Sequence, residues 1–150
     1  MYLAVVLLTM LVLPLASTVA ELTVAGGAPL MVAGRWFVVW GIGARLLSAG
    51  VSQMVRPQFT AGMLGIEDPR AQIVVRELGF ANTAMGVVGF LALPVPAFAV
   101  PGAVAGAIFL GLAGMGHVFN AERSRKETIA MVSDLGLALL LALYLVVRTL

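Results

Sequence analysis

Arg45, Arg76, Glu77, His117 and Asp134 lie inside stretches of this 150-residue chain that are otherwise apolar. A charge at the centre of a membrane helix costs about 2.5–3.5 kcal/mol, so it persists when it pairs, lines a wet cavity or serves a function. Two arginines and two acids at similar depth can neutralise each other as a packing lock. They can equally grip a ligand with an anionic or strongly polar head and an apolar tail, such as a lipid or a quinone-like molecule. Asn82 and Asn120 add neutral hydrogen-bonding groups to the same set. His117 with Asp134 is a conceivable acid–base pair, and His117 near a helix end could instead only bond a carbonyl or Asp134. This set lacks the cluster of neutral nitrogens and carboxylates that a metal needs, so no metal is expected, and nothing implies a cofactor.

Other chemistry is excluded by what the chain lacks. It has no cysteine, hence no disulfide, iron–sulfur cluster or thiol nucleophile. No GxSxG elbow, phosphate loop, HExxH or paired CxxC occurs. Internal repeats and paired broken hydrophobic segments of the inverted-repeat transporter kind are also missing. The net charge of +2 comes from nine Lys and Arg spread thinly along the chain, with no basic, aromatic-lined face for nucleic acid.

The elements that must position these residues follow from composition. With 61% hydrophobic and 11% charged residues, against about 25% charged in a soluble domain, the chain's solvent is lipid. The pattern predicts an all-α, polytopic transmembrane bundle of five spans in a single domain. The expected spans are 2–20, 30–56, 69–93, 100–119 and 128–147, each of a length that crosses a hydrocarbon core. Pro14 should kink the first span, Pro57 should end the second, and Asp68 with Pro69 should cap and start the third. Phe59, Met63, Leu64 and Ile66 are too apolar for a free linker and predict a short helix on the membrane surface. The first span is expected to be retained, although the small residues Ala16 to Ala20 also suit a signal-peptide cleavage site; no Lys or Arg precedes the apolar run.

Arg56, Arg70, Arg123, Arg125 and Lys126 fall in loops on one side of such a bundle. The positive-inside rule then places the N-terminus in the cytoplasm and the C-terminus outside the inner membrane. Trp36 and Trp40 read as an interfacial belt at the outer leaflet. Alternating span direction brings Arg45, Arg76, Glu77, His117 and Asp134 to the inner half of the membrane. Periodicity groups Gly41, Arg45, Ser48 and Ser52 on span two, and Gln72, Arg76, Gly79, Thr83 and Gly86 on span three. Glu77 lies about 100° from Arg76 and so points elsewhere. Gly102 and Gly106, with Ala103, Ala107 and Gly111, give span four a close-packing face for another span, a second copy or a membrane-complex partner. The methionines read as packing.

The segments RWFVVWGIGARLLSAG from Arg35, IEDPR, RELGFANTAMG from Arg76, GLAGMGH from Gly111 and ETIAMVSDLG from Glu127 together carry a resemblance. From about Gly34 to Leu150 the chain resembles a family of small bacterial multi-span membrane proteins, a domain of unknown function. The four-helix part is more remotely similar to DoxX-like four-span bundles, a likeness of fold that transfers no activity. The leading expectation is a membrane protein binding an amphipathic small molecule in a polar pocket lined by Arg45, Arg76, Glu77, Asn82, His117, Asn120 and Asp134. The alternatives are a structural subunit of a membrane complex and an intramembrane enzyme using His117 and Asp134.

Overall fold

A computed structural model describes residues 2–149, and these form an all-helical bundle without strands. Five of its helices are long and apolar enough to cross a membrane. In chain order the elements are α1 (Leu3–Val24), α2 (Pro29–Val55), the short α3 (Pro57–Met63), α4 (Ala71–Leu91), α5 (Pro96–Phe119) and α6 (Arg125–Thr149). The chain is therefore a multi-pass membrane helix bundle. Helix α2 is central and touches all four other spans, while α4 stands at one edge against α2.

Small residues decide how closely α2 is approached. Against α4, a Cβ at Gly89 would sit 2.5 Å from the Gly43 nitrogen, and one at Gly86 would sit 2.6 Å from the Leu47 nitrogen. The two backbones are thus nearly in contact, as glycine seams allow in lipid, where helix association relies on packing and not on water exclusion. Against α6 the glycines act as sockets: Gly34 receives the ring of Tyr144, and Gly41 receives Leu137. The span-four glycines meet the same chain. Gly102 faces Val38, and Gly106 faces Ile42 and Leu141, so α2 and α6 cover that face. The core that results includes Phe37, Val38, Ile42, Leu137, Leu141 and Tyr144.

Two helices contain widened, π-helical stretches, at Leu8–Val12 in α1 and Val38–Ala44 in α2. The first immediately precedes Leu13 and Pro14. A wider turn there relieves the clash between the proline ring and the carbonyl four residues back, and absorbs the missing N–H. The expected break after α2 occurs at Arg56, whose φ of −135° and ψ of 61° leave the helix. A short helix, α3, forms where the apolar residues predict one, and Phe59 stays half exposed with the Lys126 ammonium 5.4 Å from its ring centre. It stops at Gly65, in the left-handed region at φ 70°. Ile66 N–H donates to Ala61 O at 2.9 Å and Gly65 N–H to Gly62 O at 3.3 Å, the two bonds of a Schellman ending.

The start of α4 differs from expectation. Asp68 Oδ1 accepts from the Arg70 N–H at 2.8 Å, closing a turn on itself, and the helix begins at Ala71 with no side-chain cap. A short aspartate preceding proline satisfies this local turn before it can reach the helix end. Trp36 and Trp40 have partners within the bundle. Their indole N–H groups turn inward, donating to Glu21 Oε2 at 2.7 Å and Ser17 Oγ at 3.0 Å, and so fasten α1 to α2. A buried indole N–H needs an acceptor, and here α1 supplies it.

Gly89→Ala should destabilise the bundle by about 1–3 kcal/mol, because the added methyl meets backbone that cannot move aside. Gly136→Ala has nothing within 4 Å of its Cβ and should be neutral or gain up to about 1 kcal/mol in helix propensity. Unfolding by SDS titration in mixed micelles, followed by circular dichroism, compares the two.

Candidate functional site

The π-helical stretch of α2 ends at Ala44, and the next residue is Arg45. Gly34 with Tyr144 and Gly41 with Leu137 define an antiparallel register between α2 and α6. The next step of that register sets Arg45 beside Asp134. Arg45 Nη2 donates to Asp134 Oδ1 and, at 2.9 Å, to Ser133 Oγ; Nη1 contacts Met10 Sδ of α1 at 3.4 Å. Ser133 in turn donates to the Ala130 carbonyl at 2.9 Å. The Arg45 and Asp134 side chains keep 11% and 8% exposure.

Only one guanidinium nitrogen and one carboxylate oxygen make this ion pair. Among the described residues, the Arg45 Nε–H and Asp134 Oδ2 have no hydrogen-bond partner. A guanidinium offers five donors in a fork that suits two parallel bonds to a carboxylate. Here the fork is used on one prong, which leaves donor and acceptor capacity beside the pair.

An open, apolar groove of about 430 Å³ lies between α1 and α6. Its walls include Leu3, Leu7, Met10, Val132 and Ser133. Leu3, Leu7 and Val132 are also on the outer surface of the bundle, so the groove opens sideways, between helices. Met10 and Ser133 belong both to its wall and to the contacts of the Arg45 guanidinium.

The other expected site residues form separate groups. Asn82 Nδ2 donates to Gln53 Oε1 at 2.7 Å in the buried seam between α2 and α4. The Asn82 Oδ1 and Thr83 Oγ1 atoms in that seam are buried without partners. His117 Nδ1 lies 3.6 Å from Glu127 Oε1, and Asn120 Nδ2 donates to the same oxygen at 3.0 Å. The second oxygen, Oε2, accepts from the Ser124 N–H at 2.8 Å, while the Glu127 N–H donates to Ser124 Oγ at 3.3 Å. These reciprocal bonds are a capping box at the start of α6. His117 and Asn120 thus belong to a clasp between α5 and α6. His117 meets Glu127 and not Asp134, because seven residues of helix, roughly 10 Å, separate the two acids.

Arg76 and Glu77 are not brought to Arg45. Both lie on the outer surface of α4, with no ion pair or hydrogen bond among the described residues. The glycines of α4 turn its opposite side toward α2 and so carry both charges away from the bundle's interior. A further ion pair, unforeseen in the sequence, joins Arg35 to Glu21 beside the Trp36 indole. Ser124-x-x-Glu127 was the legible sign of the α5–α6 clasp. Nothing local marks Met10, Ser133 or Glu21 as partners, since each contact depends on which helices become neighbours. No three His, Asp or Glu side chains converge on a metal-sized space among the described residues.

The chain belongs to the family of unknown function DUF6790, whose profile matches residues 2–149. The match includes α1, so the family likeness begins well before Gly34. Comparison with curated proteins and with solved structures finds no match.

Asp134→Leu alone leaves the Arg45 charge buried and unpaired and should cost about 3–5 kcal/mol, whereas Arg45→Met with Asp134→Leu should be close to neutral. A double-mutant cycle by SDS-titrated unfolding measures the coupling. A loss in the double variant equal to the sum of the two single losses would mean that the two residues do not act as a pair.

Proposed function

We propose that the protein holds an amphipathic, lipid-like molecule in the groove between α1 and α6. The apolar part lies along Leu3, Leu7 and Val132, and the polar head reaches the open edge of the Arg45–Asp134 pair. The single observation that carries this reading is the shared wall: Met10 and Ser133 line the groove and also touch the Arg45 guanidinium. A volume of about 430 Å³ falls within the range of small-molecule sites, and apolar walls with a few polar groups are their usual chemistry. The site is narrower than the pocket expected from sequence, since Arg76, Glu77, Asn82, His117 and Asn120 take no part in it.

Lys and Arg bias supports an orientation in a bacterial inner membrane with the N-terminus in the cytoplasm. Arg56, Arg70, Arg123, Arg125 and Lys126 gather at the end of the bundle that carries α3. The groove, formed by the first half of α1 and the start of α6, then belongs to the inner leaflet. The contacts of Glu21, Ser17 and Met10 with α2, and the family match from residue 2, support α1 as a retained span. A purely structural role, with the ion pair as a lock, is the second reading. It is favoured by the low exposure of both charges.

Leu7→Trp fills the groove from its outer wall without touching the ion pair. Native mass spectrometry of the protein extracted in mild detergent should find a retained amphiphile on the wild type. Leu7→Trp should lose at least about tenfold in affinity for it, equivalent to about 1.4 kcal/mol. Ser133→Ala should weaken it less, because it removes one acceptor that holds the Arg45 guanidinium and leaves the groove unfilled. An adduct that survives Leu7→Trp unchanged would sink the groove reading and leave the lock.

A further inference from the structure

Helix α4 has 21 residues, about 31 Å of length at 1.5 Å per residue. A hydrocarbon core is about 30 Å thick, so α4 needs nearly its full length to cross. Arg76 then lies roughly 7 Å, and Glu77 roughly 9 Å, inside the end of the helix. An arginine can extend its head back toward the interface, but a glutamate has a shorter reach. Neither residue has a partner among the described residues, and both point away from the bundle.

The surrounding surface has a definite pattern. Ile73, Phe80, Ala84 and Val87 lie on the outside of α4, and with Glu77 they recur at alternating steps of four and three. That spacing is the seam of two helices packed side by side. The seam lies opposite Gly79, Gly86 and Gly89, which α2 covers. Arg76 and Glu77 stand about 100° apart, on either side of the seam's centre line.

We infer that α4 is the interface of a twofold-symmetric dimer of this chain, with Arg76 of each copy paired to Glu77 of the other. Two copies inserted in the same direction are related by an axis along the membrane normal. A twofold interface must be complementary to itself. Residues that flank the seam on opposite sides satisfy this, since the rotation sets each Arg76 across from Glu77 of the second copy. Their depths differ by only about 1.5 Å, so both pairs form at one level. The two charges are then neutralised inside the membrane, where a charge left unpaired is costly. Ala84 between Phe80 and Val87 provides a small position at which the helices can close together.

The absence of native cysteine gives a clean background for cross-linking in membranes. Val87→Cys, on the seam, should form an oxidised dimer; Leu112→Cys, 70% exposed on α5, should not. Added to Val87→Cys, either Arg76→Glu or Glu77→Arg places like charges across the seam. Each should cut cross-linking at least about tenfold, since such juxtaposition costs several kcal/mol and 1.4 kcal/mol is tenfold. Co-expressing the two charge variants with different tags should restore cross-linking between unlike tags, because acidic and basic edges now face each other. That recovery would also establish that each variant folds. Equal cross-linking through Leu112→Cys, charge variants that cross-link as well as the parent, or a mixed pair that stays uncoupled would each overturn the dimer.

Discussion

Helix α2 is surrounded, and most features of the bundle follow from that constraint. A span with four helical neighbours must offer each side a different solution to packing without water. Toward α4 it offers Gly43 and Gly50, so that backbone meets backbone. Toward α6 it offers Gly34 and Gly41 as sockets for Tyr144 and Leu137. Toward α5 it presents Val38 and Ile42, and here the glycines stand on the neighbour, at Gly102 and Gly106. Lipid tails are as apolar as these side chains, so burial alone would not choose among arrangements. Shape does, through where glycine permits approach.

The same register carries Arg45 to Asp134. Moving α6 along α2 by one turn would empty the Tyr144 and Leu137 sockets and would also leave both charges unpaired. Ion pair and sockets therefore select one alignment together, the best-attested use of a buried polar contact. A lock and a binding site are compatible in this geometry. Asp134 Oδ1 and Ser133 already hold one side of the guanidinium, and Met10 and Ser133, which both touch it, also line the groove. A ligand head added there would meet a preorganised partner and would not have to break the pair.

The five spans, the short helix between the second and third, and the break at Pro57 were legible in the sequence, because each depends on local chemistry: length of an apolar run, a missing N–H, a glycine in a turn. Individual helix faces were less legible. On α4 the periodic stripe through Arg76, Gly79, Thr83 and Gly86 was read as one surface, with the charge pointing inward. The buried face instead centres on Val75, Gly79, Asn82, Gly86 and Gly89, turned by roughly 60°. The glycines outweigh the arginine because close approach of α2 requires a missing side chain, which no charged residue can imitate. On α2 the π-helical stretch between Val38 and Ala44 shifts the phase just ahead of Arg45, and a straight count at 3.6 residues per turn cannot register this. Partners across helices, such as Ser133 and Met10 for Arg45, are settled only by the assembled bundle.

Helix α1 is fastened unequally, and this accounts for the position of the groove. Near its C-terminal end Glu21 takes both Arg35 and the Trp36 indole, and one turn earlier Ser17 takes Trp40. Toward its N-terminal end the only side-chain hydrogen bond to another helix, among the described residues, is the weak contact of Met10 Sδ with Arg45. Thr9 and Thr18 do not add to the attachment, since their hydroxyls bond to α1's own carbonyls of Val5 and Pro14. Below Met10 only apolar contact holds α1 against the start of α6, with the groove between them. The widened turn at Leu8–Val12 and Pro14 separate the half of the helix with polar contacts to α2 from the half held by apolar contact. A break in the regular backbone at that point lets one half keep its polar contacts to α2 while the other packs on α6. The groove is thus a consequence of how α1 is attached, and its polar end falls at Met10 because that is where the attachment stops.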